Sequence, residues 1–433
     1  MIGARIRAWQ PPSEEDMLTH EENERLTRIE GDAPMGVLMR EHTWIPACLS
    51  FQLQPDGAPR RVRLIGKDYV AFRGSDGKVG FLDEACPHRN ASLVLARNER
   101  CALTCIFHGW RIDAEGQVIE APTHQPNPEA FAARIRSRSY PVVDAGGLIW
   151  VYLGAGEAPR FPHLPFTQLP ANNVWVTATP CACNWLQGVE ATLDTAHIGT
   201  LHKSYISAVA DDNDANTIGQ TLEVLAPRYE VERTPYGIDA IGLRGLPDGS
   251  TYVRRTRWIL PYISLVPGNP GKSDGVIFIV SPVDDHNHIL FFGHWRLDRE
   301  AHDGRYEQVP EDHASILGDR PFDVENFGGF TGARSENWGQ DREAMARGHF
   351  SGFTGNLLQE DTVTQISMGT IVDRTREHLS SSDLALVQAR DALLKALANV
   401  EQGRAPVGES LPDDLSDVHP IDEIQPAQAV GHG

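Results

Sequence analysis

Two short cysteine–histidine pairs constrain this chain more than any other feature: Cys86-Pro87-His88 and Cys105-Ile106-Phe107-His108, with sixteen residues between His88 and Cys105. Two thiols and two imidazoles that act together must be brought to one point, so the chain must fold into a pair of loops on a small scaffold. Zinc is a common occupant of a Cys2His2 set. Zinc sites usually pair like with like, however, as Cys-x(2–4)-Cys followed by His-x(3–5)-His. Here each pair is mixed, so each loop can supply one ligand to each of two metal atoms. A [2Fe–2S] centre with two Cys on one iron and two His on the other needs that arrangement, and such a centre carries electrons.

The surrounding sequence suits such loops. Tyr69–Arg73 and Lys78–Leu82 are apolar-rich runs around Ser75-Asp76-Gly77 and predict a hairpin leading into the first loop. Leu148–Leu153, after Ala145-Gly146-Gly147, predicts a closing strand. The flanks Cys-Pro-His-Arg and Cys-x-Phe-His-Gly-Trp closely resemble the two loops of Rieske proteins. Two positions depart from that pattern. Asn90 stands where Gly is common, and Asn tolerates positive φ better than most residues. Phe107 stands where Tyr is frequent, which removes a hydroxyl that could donate toward a cluster and favours a lower potential. Cys101 lacks the x-x-His partner and reads as a small buried hydrophobe.

With 433 residues the chain is too long for an electron-carrier module alone and long enough for two domains. No apolar run reaches membrane-spanning length, and the first residues lack a basic segment followed by an apolar stretch. Six Cys, two of them already assigned, suit a reducing cytoplasm rather than a disulfide scaffold. Lys and Arg total 39 against 59 Asp and Glu, a net charge of −20, which argues against nucleic acid or an anionic membrane as partner.

Along the chain, residues 1–35 read as a polar leader and a helix that Thr19-His20-Glu21-Glu22 opens with a capping box. Residues 36–160 form the segment with the Cys–His pairs, and Pro159 to Pro170 reads as a linker. Residues 161–406 begin with a helical stretch near 184–202. Alternating apolar runs follow, among them Tyr252–Leu260, Val276–Val280 and His288–Trp295, which predict a twisted antiparallel sheet. Residues 299–345 are polar and Gly-rich, as a lid or binding loop would be. Ser380 to Asp383 caps a last helix with Leu386, Leu393, Leu397 and Val400 as its apolar stripe, ended by Gly403. Residues 407–433, rich in Pro and Asp, are expected to be a flexible tail.

The second chemical feature lies in the stretch from Asn184 to His202. Glu190, Asp194 and His197 are spaced by four and three, so on one helix they would share a face. His202 follows His197 by five, a rotation of about 140° on an ideal helix. Both can bind one ion only if the helix widens or ends between them. Gly199 lies there, and π-bulges are frequent at functional sites. Two neutral imidazoles and a carboxylate suit Fe(II) and leave coordination positions open for O2 and substrate. Gln359-Glu360-Asp361 is the best source of the carboxylate.

Glu-x3-Asp-x2-His-x4-His after a Rieske motif resembles the α subunit of Rieske non-haem iron aromatic-ring oxygenases. Met17-Leu-Thr-His-Glu-Glu-Asn-Glu, Asn184-Trp-Leu-Gln and Asp373-Arg-Thr-Arg-Glu-His-Leu resemble its phthalate 4,5-dioxygenase group, a likeness running from about Met17 to Pro406. The resemblance implies an α+β chain: a β-rich Rieske domain, then a catalytic domain whose sheet is covered by helices in a helix-grip-like arrangement. It implies that Cys86, His88, Cys105 and His108 hold the [2Fe–2S] cluster, that His197, His202 and Asp361 hold mononuclear Fe(II), and that Asp194 bridges a cluster His and an iron His across a subunit boundary. Ile366 occupies a position where the group usually has an acid. The implied assembly is a homotrimer or stacked trimers, fed by a ferredoxin-type or FMN/[2Fe–2S] reductase. The implied reaction is hydroxylation of an aromatic acid with O2, with O-demethylation of a methoxylated aromatic acid as the main alternative and a pure electron carrier as the alternative from another class. Arg89, Arg97, Arg100 and Arg111 are candidates for docking the electron donor. Arg254, Arg255, Arg257 and Asn184 are candidates for the substrate, with strand alternation putting Arg255 and Arg257 on one face and Arg254 on the other.

Overall fold

Between residues 45 and 151 the apolar runs become ten short strands in the computed structural model of the chain, which describes residues 18–210, 217–268, 273–306, 308–310, 322–329, 332–407 and 412–427. The strands are β1 (Ile45–Leu49), β2 (Arg60–Leu64), β3 (Lys67–Arg73), β4 (Val79–Asp83), β5 (Arg97–Glu99), β6 (Ala102–Thr104), β7 (Arg111–Asp113), β8 (Val118–Glu120), β9 (Val142–Ala145) and β10 (Leu148–Val151). They form three small antiparallel sheets, ordered β1-β10-β9, β2-β3-β4 and β5-β6-β7-β8. All belong to one compact unit, Ile29–Phe161. The expected hairpin is β3–β4, paired from Tyr69↔Asp83 to Arg73↔Val79. Val70, Phe72, Leu82, Leu93, Leu103, Trp110 and Ile112 form its core together with Cys86 and Cys105. Burying this apolar surface offsets the entropy of ordering two exposed loops.

Cys101 departs from the expectation of a buried hydrophobe. It is half-buried and, with Arg100, makes the two-residue turn between β5 and β6. Both residues have positive φ, 53° and 56°, as a twisted hairpin turn of that length requires.

Of the described residues, the second unit comprises those up to Arg28 together with those from Pro162 onward. The N-terminal helix therefore belongs with the second half of the chain; the expected leader, residues 1–16, lies outside the described residues. It spans His20–Thr27 and has the reciprocal Thr19–Glu22 capping box. Its Asn23 Nδ2 donates to Val372 O at 3.1 Å. The sheet contains β11 (Val174–Cys181), β12 (Arg228–Thr234), β13 (Gly237–Gly245), β14 (Thr251–Ile259), β15 (Ile263–Val266), β16 (Gly275–Asp284), β17 (Asn287–Trp295) and β18 (Ile421–Gln425). Its antiparallel order is β11-β17-β16-β15-β14-β13-β12, and β18 adds to β14. Helix Trp185–Leu193 packs on β15, β16 and β17, and helix Leu384–Glu401 packs on β12 and β13.

Three expectations need correction here. The stretch 184–202 is not one helix, nor does it widen between the histidines. It breaks after Leu193, and a separate one-turn helix, Ile198–Leu201, lies between His197 and His202. Of the expected stripe on the terminal helix only Leu393 and Leu397 are buried; Leu386 and Val400 are half-buried, Leu384 is buried instead, and so is Arg390, which pairs with Glu190 and Glu377 at 2.7 and 2.6 Å. The tail is not uniformly loose: β18 hydrogen-bonds to β14, and Leu415 is buried. β15 occupies only the Arg257–Ile259 end of that edge of β14, which leaves Thr251–Arg255 open for β18. The expected loop 299–345 lies partly outside the described residues. Its described part includes the helix Arg342–Ala346.

Candidate metal centres and cavity

The two Cys–His loops share one backbone design. In the first, Asn90 N donates to Cys86 O at 2.9 Å and Cys86 N to Ala91 O at 2.9 Å. In the second, Gly109 N donates to Cys105 O at 2.9 Å and Cys105 N to Trp110 O at 2.8 Å. The equivalent positions Asn90 and Gly109 both have positive φ, 58° and 72°, so Asn makes the turn that Gly would make. The loops bring Nδ1 of His88 within 3.1 Å of Nδ1 of His108. The His88 ring stacks on Trp110, with centroids 4.4 Å apart and planes 8° apart, which fixes its direction. Cys86 and Cys105 are almost fully buried, and burial pushes the Cys86 thiol up to about 11. Two buried thiols in one core and two adjoining Nδ1 atoms, supplied by paired loops, fit a Cys2His2 [2Fe–2S] cluster. Outside them, Ile106 and Phe107 are exposed, 63% and 56%, and Arg89 lies over the Phe107 ring. Among the other arginines named for docking, Arg111 is buried on Glu120 and Arg97 pairs with Glu99.

In the other unit the break after Leu193 sets the second site. Asp194 caps the end of its helix, accepts from Ala196 N at 2.7 Å and lies 3.3 Å from His197 Nδ1. Nε2 of His197 and Nε2 of His202 approach the same Asp361 oxygen, at 3.5 and 3.2 Å. The ligand atoms of His197, His202 and Asp361 all lie within 4.8 Å of one another. Behind His202, Nδ1 is 2.7 Å from Glu360 Oε2, and the other Glu360 oxygen accepts from Ser351 Oγ. Each imidazole is thus held through Nδ1 by one carboxylate and turned by Nε2 toward another. Burial disfavours charge on His202, yet Asp361 and Glu360 raise its pKa to about 10. Burial likewise opposes ionisation of Asp194, but His197 holds it below the usual carboxylate range. Asp361 is shifted the same way, chiefly by His202 against burial. A pocket that stabilises positive charge this strongly fits a cation, and a facial set of two His and one carboxylate fits Fe(II).

These residues open on a cavity with apolar walls. Alternate residues of β16 and β17, Val276 and Phe278 with Leu290 and Phe292, face it, joined by Ile206 and Ile218. Arg254 is the one Lys or Arg among its described lining residues. Arg255 and Arg257 point to the other sheet face, as alternation predicted, where both pair with Asp239. Asn184 does not line the cavity. It is fully buried, caps the helix at Leu186 N, and donates to Thr27 O and Asp285 O at 2.9 and 2.8 Å. Glu190 does not reach the cavity either, being held by Arg374 and Arg390.

The comparisons with known proteins agree with this architecture. The family model described as the Rieske [2Fe-2S] domain matches residues 43–141, and the LigXa C-terminal domain like model matches residues 151–422. The oxygenase subunit of phthalate 4,5-dioxygenase from Pseudomonas putida is 37% identical over 90% of this chain and 89% of its own. The chain belongs to the Rieske non-haem iron oxygenases, in the phthalate 4,5-dioxygenase group.

Other relatives of this oxygenase subunit include that of 3-chlorobenzoate-3,4-dioxygenase from Comamonas testosteroni, 34% identical over 90% of this chain and 92% of its own. The oxygenase subunit of 5,5'-dehydrodivanillate O-demethylase from Sphingobium sp. is 28% identical over 90% and 83%. Dicamba monooxygenase has the same fold, with a TM-score of 0.55 and 19% identity over 85% of this chain and 100% of that one. As a Rieske oxygenase the chain carries a [2Fe–2S] cluster and a mononuclear iron. No helix among the described residues is long and apolar enough to cross a membrane. Sequence reasoning weighed Glu360 only as a rival ligand and missed its place behind His202. It also missed Asp422, the cross-strand neighbour of Arg254. The adjacency of Glu360 to Asp361 was a usable signal, because successive helical residues diverge by about 100° and cannot both face one ion.

Proposed function

We propose that this oxygenase hydroxylates an aromatic carboxylic acid, with Arg254 as the anchor for the carboxylate. The observation that carries this reading is one arginine in the apolar wall of a cavity that also holds the His197–His202–Asp361 cluster. Arg254 is almost fully buried, and its Nε–H has no acceptor among the described residues. The apolar walls take the ring and exclude water.

His197, His202 and Asp361 would hold the iron, and Cys86, His88, Cys105 and His108 the cluster. When bound, the two groups supply electron transfer and O2 activation. The protein orients their ligands: Asp194 and Glu360 fix the rings of His197 and His202, and Trp110 fixes that of His88. Asp194 is partly exposed, so its carboxylate can also accept from a cluster histidine of a neighbouring subunit, coupling the two centres in a homotrimer. Electrons come from a separate reductase, with or without a ferredoxin.

The test is reconstitution with a reductase and O2 consumption across phthalates, benzoates and methoxybenzoates. Coupled product formation with an aromatic acid, lost in Arg254→Met, supports the reading. Turnover confined to uncharged arenes overturns it. Formaldehyde release separates O-demethylation, the reaction named for the Sphingobium relative, from ring dioxygenation.

A further inference from the structure

The cavity arginine is not left to face a substrate alone. Strand β18 pairs antiparallel with β14, and its register puts Asp422 directly opposite Arg254. Cross-strand partners project to the same face. Asp422 Oδ1 lies 3.4 Å from Arg254 Nη1, and the two side chains are only 6% and 4% exposed. The second Asp422 oxygen accepts from Thr217 Oγ1. Arg254 Nη2 donates to Pro267 O at 3.1 Å. Both terminal nitrogens of the guanidinium therefore have protein partners, and Nε has none among the described residues. Asp422 itself is not among the residues lining the cavity.

We propose that Asp422, supplied by the C-terminal strand, is a positioning and charge-setting residue for substrate selection: it holds the guanidinium of Arg254 and offsets its charge, so that the anchor takes an acid without trapping it. The proposal rests on the reading of Arg254 as the carboxylate anchor. A buried arginine with no counter-charge would bind any carboxylate strongly, because electrostatic interactions gain strength out of water. With Asp422 paired to it, part of the Arg254 charge and one of its terminal nitrogens are already engaged, so an incoming carboxylate gains less from the anchor. An uncharged arene is little affected. Asp422 thus sets the ratio of acid to neutral binding, and its influence runs wholly through Arg254.

The experiment titrates benzoate and its uncharged isostere benzamide into the intact holoenzyme. In Asp422→Asn, which keeps the shape and an acceptor, benzoate should bind on the order of tenfold more tightly while benzamide stays within twofold. The gain should vanish in Arg254→Met/Asp422→Asn compared with Arg254→Met. Asp422→Ser, neutral and smaller, supplies the same comparison if the Asn variant does not yield holoenzyme. An equal change for both ligands, no change, or weaker benzoate binding overturns the role of Asp422. Benzoate binding that is equal in wild type and Arg254→Met overturns instead the underlying assignment of the anchor.

Discussion

Glu360 and Asp361 are adjacent in the chain and do different work. On helix Leu357–Ser367 their side chains diverge, so Asp361 faces both Nε2 atoms while Glu360 reaches His202 Nδ1 from behind. Outer partners of this kind set ring orientation and ligand basicity. Glu360→Ala is expected to lower Fe(II) affinity about 10–100-fold. Competition with a chelator measures this, and the spectrum of the cluster should be unchanged. Asp194→Asn is expected to keep both metal centres loaded while slowing reduction of the iron by the cluster. Single-turnover kinetics on holoenzyme with a reduced cluster reads that rate, and a rate equal to wild type overturns the bridging role. At this scale the ligand types were legible in the sequence, since Cys-x-His, Cys-x-x-His and the His197/His202 pair are local patterns. The roles of Glu360 and Asp422 were not, because each depends on a partner more than 150 residues away.

Among the elements, helix Trp185–Leu193 matters most, because its end places Asp194 and the turn that carries His197. It is tied down by a buried ion network: Glu190 accepts from Arg374 at 2.8 and 2.7 Å and from Arg390 at 2.7 Å, and Arg390 also reaches Glu377. Burial raises the pKa of Glu190, but the two arginines outweigh it and bring it from 4.5 down to about 2. A depressed carboxylate stabilises the fold fully above its unfolded value and loses that contribution as pH falls toward its folded value. Wild type should therefore lose stability between about pH 4.5 and 2. Glu190→Gln should be destabilised by about 3–5 kcal/mol at pH 7, because two buried arginines lose their counter-charge. Urea unfolding at pH 7 and pH 3 tests both, and the gap between the proteins should narrow at the lower pH. The capping boxes, the β3–β4 hairpin and the main catalytic strands were readable from local pattern. The break after Leu193 was not, because the spacing of Glu190, Asp194 and His197 equally suits one continuous helix. Strand β18 was missed because its Pro- and Asp-rich surroundings resemble a solvated tail, and only the open edge of β14 makes it a strand.

For the whole molecule, the exposed apolar pair in the second cluster loop, Ile106 and Phe107, suits burial against another copy. A homotrimer or a multiple of it is expected by light scattering, and Ile106→Glu/Phe107→Glu should weaken it. Loaded protein should contain three iron atoms per chain, two for the cluster and one for the mononuclear site. A count of two would support an electron carrier. The sequence by itself determined the chemistry: the donor types, their mixed pairing and the alternation that builds the sheet all act over a few residues. Only the tertiary structure decided which of three neighbouring arginines meets the cavity and which acid stands behind each functional group. Those are long-range contacts, fixed by strand register and sheet edges rather than by any local pattern.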